Sequence, residues 1–105
     1  MYRQGDVLII PIKSIPKTPL KPVERENSRL VLAHGEATGH AHAIKDDRAA
    51  LFRDVKLAAV FMHVSGTDTV LLEHDEHDTI AIPPGSYRVI RQREYSPEEI
   101  RNVAD

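Results

Sequence analysis

The chain contains no cysteine and no tryptophan, and aromatic residues make up only 5% of its 105 residues. Without cysteine, disulfide bonds, thiolate catalysis and cysteine-ligated zinc are all excluded, so imidazole and oxygen ligands must hold any metal. The formal net charge is only -2. Such a charge gives no general attraction to phosphate backbones or to anionic lipid, and nucleic acid is not favoured as a partner.

Long apolar runs are also missing, since none approaches the roughly 20 residues that a membrane-spanning helix needs. The apolar run at residues 7–10 is too short for a secretion signal and has no small-residue cleavage site after it. We therefore expect a cytoplasmic protein that does not contact a membrane. The 41% of hydrophobic residues and the 29% of charged residues are typical of one globular domain, here spanning residues 1–105.

Short β-branched or apolar runs alternate with turn signals along the chain and predict an all-β fold. No long amphipathic helix separates them, which favours a small β-barrel or a sandwich over an α/β fold. A proline-rich segment at 13–27 predicts a surface loop, and Ser96-Pro97-Glu98-Glu99 predicts a short C-terminal helical turn. The predicted strands are residues 6–12, 29–34, 40–44, 49–52, 57–64, 69–72, 79–82 and 86–95.

Four of the six histidines fall into two tight clusters, Gly39-His40-Ala41-His42 and Glu73-His74-Asp75-Glu76-His77. In a strand, His40 and His42 point to the same face, because side chains alternate with a period of two. The second cluster lies between two apolar runs and predicts a loop in which His74 and His77 could converge. We therefore predict one transition-metal site, with His40, His42, His74 and His77 as its ligands.

Glu73 and Glu76 flank the second pair of histidines and could act as oxygen ligands or as partners that orient an imidazole. Imidazole with optional carboxylate suits Zn²⁺, Fe²⁺, Mn²⁺ or Ni²⁺ and does not choose among them. If one coordination position stays open, the metal could activate water or bind a small oxygenated substrate, with Glu73 or Glu76 as the general base. The sequence leaves open whether the protein is an enzyme.

Other interpretations of these patterns stay open. The acidic loop at 73–77 could be a solvated turn. The protein is expected to be a homo-oligomer, and the histidines, with or without metal, could lie at a subunit interface as part of a structural or interaction protein. His34 and His63 are interpreted as isolated core or rim residues. A locally basic C-terminal region favours a solvated strand face over an RNA- or anion-binding patch, and its arginines are Arg88, Arg91, Arg93 and Arg101.

Two families resemble this sequence. The chain resembles a family of small bacterial proteins of uncharacterised function. This resemblance covers residues 3–7, the two histidine clusters, and residues 91–95 and 103–105. His40-Ala41-His42 and Pro83-Pro84-Gly85 also resemble the His-x-His and Pro-x-Gly motifs of the cupins. Neither the glutamate that follows the cupin histidine pair nor the histidine that follows the cupin glycine is present. The cupin resemblance implies a β-barrel with a metal in its mouth, with further ligands from His74, His77 or Glu73.

Overall fold

The computed structural model describes residues 1–35 and 40–92, and this part of the chain forms ten β-strands and no α-helix. The strands are β1 (Tyr2–Gln4), β2 (Val7–Ile12), β3 (Leu20–Pro22), β4 (Leu30–His34), β5 (Ala41–Ile44), β6 (Ala49–Asp54), β7 (Val60–Val64), β8 (Val70–Glu73), β9 (Ile80–Ile82) and β10 (Gly85–Arg91). Within these ranges, no helix has the length and apolar character needed to span a membrane. The helical turn predicted from Ser96 onward lies outside the described residues.

The strands form two antiparallel sheets, which confirms the predicted all-β class. One sheet has six strands in the order β1-β2-β10-β7-β6-β3, and the other has four in the order β4-β5-β8-β9. The sequence left a barrel and a sandwich open. Two separate sheets with an apolar core between them are the sandwich arrangement, and the barrel is not closed.

The structure contains two strands that the sequence did not predict, and one predicted strand begins three residues later than expected. Residues 2–4 form the additional strand β1, which pairs with β2 through a two-residue turn. Leu20–Pro22, inside the segment predicted as a loop, pairs with β6. The strand predicted at 57–64 begins only at Val60, because a turn with Ala58 at a φ of 57° precedes it. Short strands and turns of this kind depend on their neighbours more than on local sequence.

The core forms where alternate side chains of the two sheets meet, as the period of a β-strand requires. Its fully buried members come from both sheets and include Ile9, Ile44, Met62, Leu72 and Ile82. Among the described residues, only three polar side chains are buried, namely Gln4, His42 and Asp54. A buried polar group is costly unless it is hydrogen-bonded, so each of these three side chains is expected to have hydrogen-bond partners within the protein.

Candidate metal centre

Antiparallel pairing of β5 and β8 brings the two histidine clusters together. Ala43 pairs with Glu73 and Ile44 pairs with Leu72. Continued beyond the end of the ladder, this register places the residues before Ala43 next to those after Glu73. The histidine pair at the start of β5, with His40 just before the strand and His42 within it, therefore meets the loop that follows β8 at the same end of the four-stranded sheet.

The four histidine rings lie close to one another. Ring centroids are 4.3 Å apart for His42 and His74, 4.7 Å for His74 and His77, 5.8 Å for His42 and His77, and 6.0 Å for His40 and His74. We call these four residues the histidine cluster. It joins two segments that are more than 30 residues apart in sequence.

His42 is the buried member of the histidine cluster, with a relative exposure of only 2%. It lies two residues before the core residue Ile44, so the alternation of β5 directs it to the inner face of the sheet. Its Nδ1 lies 2.8 Å from Oε1 of Gln4, and its Nε2 lies 3.6 Å from Oδ1 of Asp6. Both partners belong to the β1–β2 hairpin.

The pKa of His42 is lowered from 6.5 to about 4, mainly by burial and also by the positive charge that His74 can carry, against an opposing effect of Asp6. Desolvation disfavours the charged imidazolium, which is why burial acts in this direction. At neutral pH the ring of His42 is therefore neutral. The neutral imidazole is the form that donates an electron pair to a metal.

The other histidines lie nearer the surface and contact the acidic loop. Nδ1 of His40 is 2.7 Å from Oε1 of Glu76 and Nε2 is 3.5 Å from Oδ2 of Asp75, although neither contact has hydrogen-bond geometry. The backbone N–H of Glu76 donates to Nδ1 of His74 over 3.0 Å. Glu73 instead lies beside Lys45, with Oε1 3.9 Å from Nζ.

Two glycines make room for the histidine cluster. Gly5 has a φ of 58°, and a Cβ there would lie 2.7 Å from Nε2 of His77 and 3.2 Å from Cε1 of His42. A Cβ on Gly35 would lie 3.0 Å from Cβ of His40 and 3.3 Å from Nε2 of His74. A side chain at position 5 would therefore displace the ring of His77, and one at position 35 would require its neighbours to shift by a few tenths of an ångström.

Arg91 extends the polar network behind Asp6. Its Nε donates to Oδ2 of Asp6 over 3.2 Å, and its Nη2 donates to the backbone oxygen of His34. Arg91 also lines a cavity of about 230 Å³ together with Arg53 and Arg88. Asp6 thus lies between a guanidinium on one side and the buried His42 on the other.

The rings are close, but they are not arranged as metal ligands. Within residues 1–35 and 40–92, no group of three or more histidine or acidic side chains has a geometry that could hold a metal ion. In the structure the rings of His42 and His77 are stacked, with an angle of 18° between their planes. Coordination by several members of the histidine cluster therefore requires some of the rings to rotate.

Residues 3–92 match the model of a protein family described as a domain of unknown function, DUF8820. The chain belongs to this family. The matched range includes the whole histidine cluster together with Gln4 and Asp6. No curated protein and no solved structure matches the chain.

The structure of this DUF8820 protein brings the four predicted histidines together and separates the two predicted glutamates. Glu76 contacts His40, whereas Glu73 contacts Lys45. His34 and His63 are both exposed, and their rings contact Glu26 and Ser86 respectively and not the rings of the cluster. Arg93 and Arg101 of the predicted basic region lie outside the described residues.

The sequence did not predict that the β1–β2 turn, Gln4-Gly5-Asp6, contributes to this site. Gln4 is buried at 2% relative exposure, although glutamine is ordinarily a surface residue. A glycine followed by an aspartate, just ahead of an apolar strand, signals a turn. That signal locates the hairpin but does not show which other loop the hairpin will meet.

Proposed function

We propose that this protein binds a divalent transition metal at the histidine cluster, formed by His40, His42, His74 and His77. The observation that carries the proposal is the convergence of four imidazoles from two distant segments onto one end of the sandwich. One of them, His42, is buried and neutral. Burying the polar ring of His42 costs more desolvation than burying leucine or isoleucine at that position, so a function of the ring itself is favoured.

The spacing of the rings suits a metal even though their present orientation does not. Around a tetrahedral ion with nitrogen ligands at about 2.0–2.1 Å, the centroids of two coordinating imidazoles lie about 5 Å apart. The observed centroid distances of 4.3 Å to 6.0 Å lie on either side of that value. Ring rotation, without a large backbone movement, would therefore be enough to bring nitrogens onto one ion.

His74 and His77 belong to the loop between β8 and β9, which leaves them freer to rotate than the buried His42. For His74, rotation has a defined cost, because its Nδ1 must give up the hydrogen bond from the backbone N–H of Glu76 if that nitrogen is to coordinate. One hydrogen bond is worth about 1 kcal/mol, far less than the about 10–16 kcal/mol of a structural zinc site. The loop arrangement therefore does not oppose metal binding.

The available donors are imidazole and carboxylate, which suit Zn²⁺, Fe²⁺, Mn²⁺ and Ni²⁺. An ion held by three protein ligands would keep a position for water or for a small oxygenated substrate, as in metal-dependent enzymes. Glu76, beside His40, is better placed than Glu73 to take a proton from such a water. An ion held by four histidines would instead be structural or would join subunits of a homo-oligomer.

Metal analysis of protein prepared without a histidine tag tests the proposal. After reconstitution with each of the four ions, we expect one ion per chain for at least one of them, measured by elemental analysis after dialysis. The variants His74→Ala and His77→Ala should lose the ion, and neither removes a buried side chain. His63→Ala is the matched control, because His63 is exposed and its ring contacts Ser86 outside the cluster.

Absence of a stoichiometric ion from the unmodified protein with all four metals would overturn the proposal, as would retention of the ion by both cluster variants. Sedimentation analysis of the same samples distinguishes the two classes of site. Dissociation of an oligomer on loss of the metal would identify an ion that joins subunits. An unchanged oligomeric state would favour a site within one chain.

A further inference from the structure

We infer that the β1–β2 turn, Gln4-Gly5-Asp6, completes the metal site: Gln4 fixes the tautomer of His42, and Asp6 supplies an oxygen ligand beside it. Gln4 is thereby a positioning residue, since it acts through His42. The inference about Asp6 rests on the proposed metal binding. The inference about the tautomer concerns the metal-free protein and is tested without metal.

The orientation of the Gln4 amide is fixed by two acceptors. Its Nε2 donates to the backbone oxygens of Leu72 and Asp78, both over 2.9 Å. An amide nitrogen has two hydrogens, so both are used. A flipped amide would place Oε1 against two carbonyl oxygens and would leave all three acceptors without a donor, which is costly in a buried position.

Because Nε2 faces those carbonyls, Oε1 of Gln4 faces Nδ1 of His42 at 2.8 Å. An amide oxygen only accepts, so Nδ1 must carry the hydrogen. A neutral imidazole has one N–H, and its other nitrogen then carries the free electron pair. Gln4 therefore selects the tautomer in which Nε2 of His42 is the metal-binding atom, as hydrogen-bond partners of metal-ligating histidines commonly do.

Nε2 of His42, which carries the electron pair, lies near the turn that holds Asp6. Nε2 and Oδ1 of Asp6 are 3.6 Å apart. Two ligand atoms bound to the same ion at about 2.1 Å are ordinarily about 3–4 Å apart. A neutral Nε2 and a carboxylate oxygen are both acceptors, so a cation between them would be bound by both.

Arg91 and Gly5 support this arrangement. The guanidinium of Arg91 holds Oδ2 of Asp6, which fixes the carboxylate with Oδ1 toward His42. Gly5, with no side chain, lets Nε2 of His77 approach the same turn, since a Cβ at position 5 would lie 2.7 Å from that atom. The ligand set that follows is Nε2 of His42, Oδ1 of Asp6 and, after rotation of its ring, His77.

The tautomer is measured by long-range ¹H–¹⁵N NMR correlation of the metal-free protein, in which protonated and unprotonated imidazole nitrogens have distinct shifts. We expect His42 to be the Nδ1–H tautomer, and the variant Gln4→Leu to show a mixture of tautomers. A His42 ring protonated at Nε2 in the unmodified protein would overturn the role of Gln4. This measurement on the unmodified protein decides the point even if the variant fails to fold.

The ligand role of Asp6 is measured by titrating Asp6→Asn with Zn²⁺ in a competition assay with a chromophoric chelator. We expect an affinity lower by about 10- to 100-fold, the size of effect seen when groups around a metal site are altered. Arg91→Gln is the matched control, because it removes the same ion pair but keeps the carboxylate. Its affinity should fall by clearly less than that of Asp6→Asn, because the carboxylate stays in place but is no longer oriented by the guanidinium.

Equal Zn²⁺ affinity of Asp6→Asn and the unmodified protein would overturn the role of Asp6. An equal loss of affinity in Arg91→Gln would also overturn it, because the ion pair and not the carboxylate would then be responsible. If the unmodified protein binds none of the four ions, the proposed function fails, and the NMR result still decides the role of Gln4 separately.

Discussion

Two buried polar centres of this protein, one around Asp54 and the other around His42, are completed in opposite ways. Asp54 accepts hydrogen bonds from the backbone N–H groups of Lys56 and Leu57, two and three residues away, and from the hydroxyl of Thr18. His42 depends on Gln4, 38 residues away, and its second nitrogen faces a carboxylate.

We interpret this difference as one between a structural centre and the proposed metal site. The carboxylate of Asp54 is an acceptor surrounded by three donors, so its hydrogen bonding in the turn between β6 and β7 is satisfied. Nε2 of His42 is an acceptor that faces another acceptor. A carboxylate that is surrounded by donors, two of them local backbone N–H groups, serves the fold. An imidazole nitrogen that faces a carboxylate is the arrangement that we propose binds a cation.

The largest loss of stability is expected for Gln4→Leu. Leucine fits the buried position in size but leaves the Nδ1–H of His42 and two backbone carbonyls without their partner. Buried unpaired groups cost about 1–3 kcal/mol each, and some will recover water, so we expect a loss of about 2–4 kcal/mol. Equilibrium urea denaturation of the metal-free protein measures it.

At the Asp54 centre, the substitution to compare with Gln4→Leu is Thr18→Val. It removes one of the three donors to Asp54 and leaves the two backbone donors in place. Its loss of stability should be clearly smaller than that of Gln4→Leu. A larger loss for Thr18→Val would contradict the view that the Asp54 turn is locally self-sufficient.

The two centres should also respond to acid in different pH ranges. His42 has a folded pKa of about 4 against 6.5 for the exposed side chain, so the unfolded chain binds a proton more readily and stability falls as the pH falls from about 6.5 to about 4. Hydrogen bonds from Leu57, Lys56 and Thr18 lower the pKa of Asp54 below its ordinary 3.8. The ionised carboxylate of Asp54 therefore stabilises the fold at every pH above 3.8. This stabilisation is lost only as the pH falls through the lower pKa that Asp54 has in the folded protein.

Urea denaturation of metal-free protein between pH 7 and pH 3 separates these contributions. The variant His42→Gln should lack most of the pH dependence between 6.5 and 4, whereas Asp54→Asn should keep it. A profile from Asp54→Asn that is flat in this range would contradict the assignment of the decline to His42.

Gly5→Ala is expected to cost less than Gln4→Leu. A φ of 58° is strained for alanine by about 1–2 kcal/mol, and the new Cβ would press on Nε2 of His77 at 2.7 Å. Because the ring of His77 can move away, the steric part is small, and we expect a total loss of about 1–2 kcal/mol. Gly66→Ala, at a φ of 87° and away from the histidine cluster, is the control. It introduces comparable backbone strain, and its new Cβ would press on Cδ of Arg48 at 3.1 Å instead of on a histidine ring.

The two substitutions should differ in metal binding more than in stability. Gly5→Ala displaces a proposed ligand and should weaken binding of Zn²⁺, whereas Gly66→Ala should not. Equal Zn²⁺ affinities of these two variants would show that His77 does not coordinate from the position next to Gly5.

Local sequence patterns were enough to predict most of the fold and about half of the candidate site. Apolar runs and turn signals predicted the all-β class because the length and spacing of strands appear directly in the pattern of apolar residues. His40 and His42 could be grouped because they are two residues apart. Nothing local shows that Gln4 is buried, because its burial follows from the pairing of β1 with β2 and from carbonyls more than 60 residues away.

The smallest effects are expected at the two glutamates that sequence analysis proposed as catalytic groups, and they should differ from each other. Glu73 forms a partly exposed contact with Lys45 at 3.9 Å, and such surface pairs contribute about 0–1 kcal/mol. Glu73→Gln should therefore change neither stability nor Zn²⁺ affinity measurably. Glu76→Gln removes the charge 2.7 Å from Nδ1 of His40 and should weaken Zn²⁺ binding several-fold while leaving stability nearly unchanged. The same chelator competition assay measures both variants, and a reversed order would place Glu73, and not Glu76, next to the bound ion.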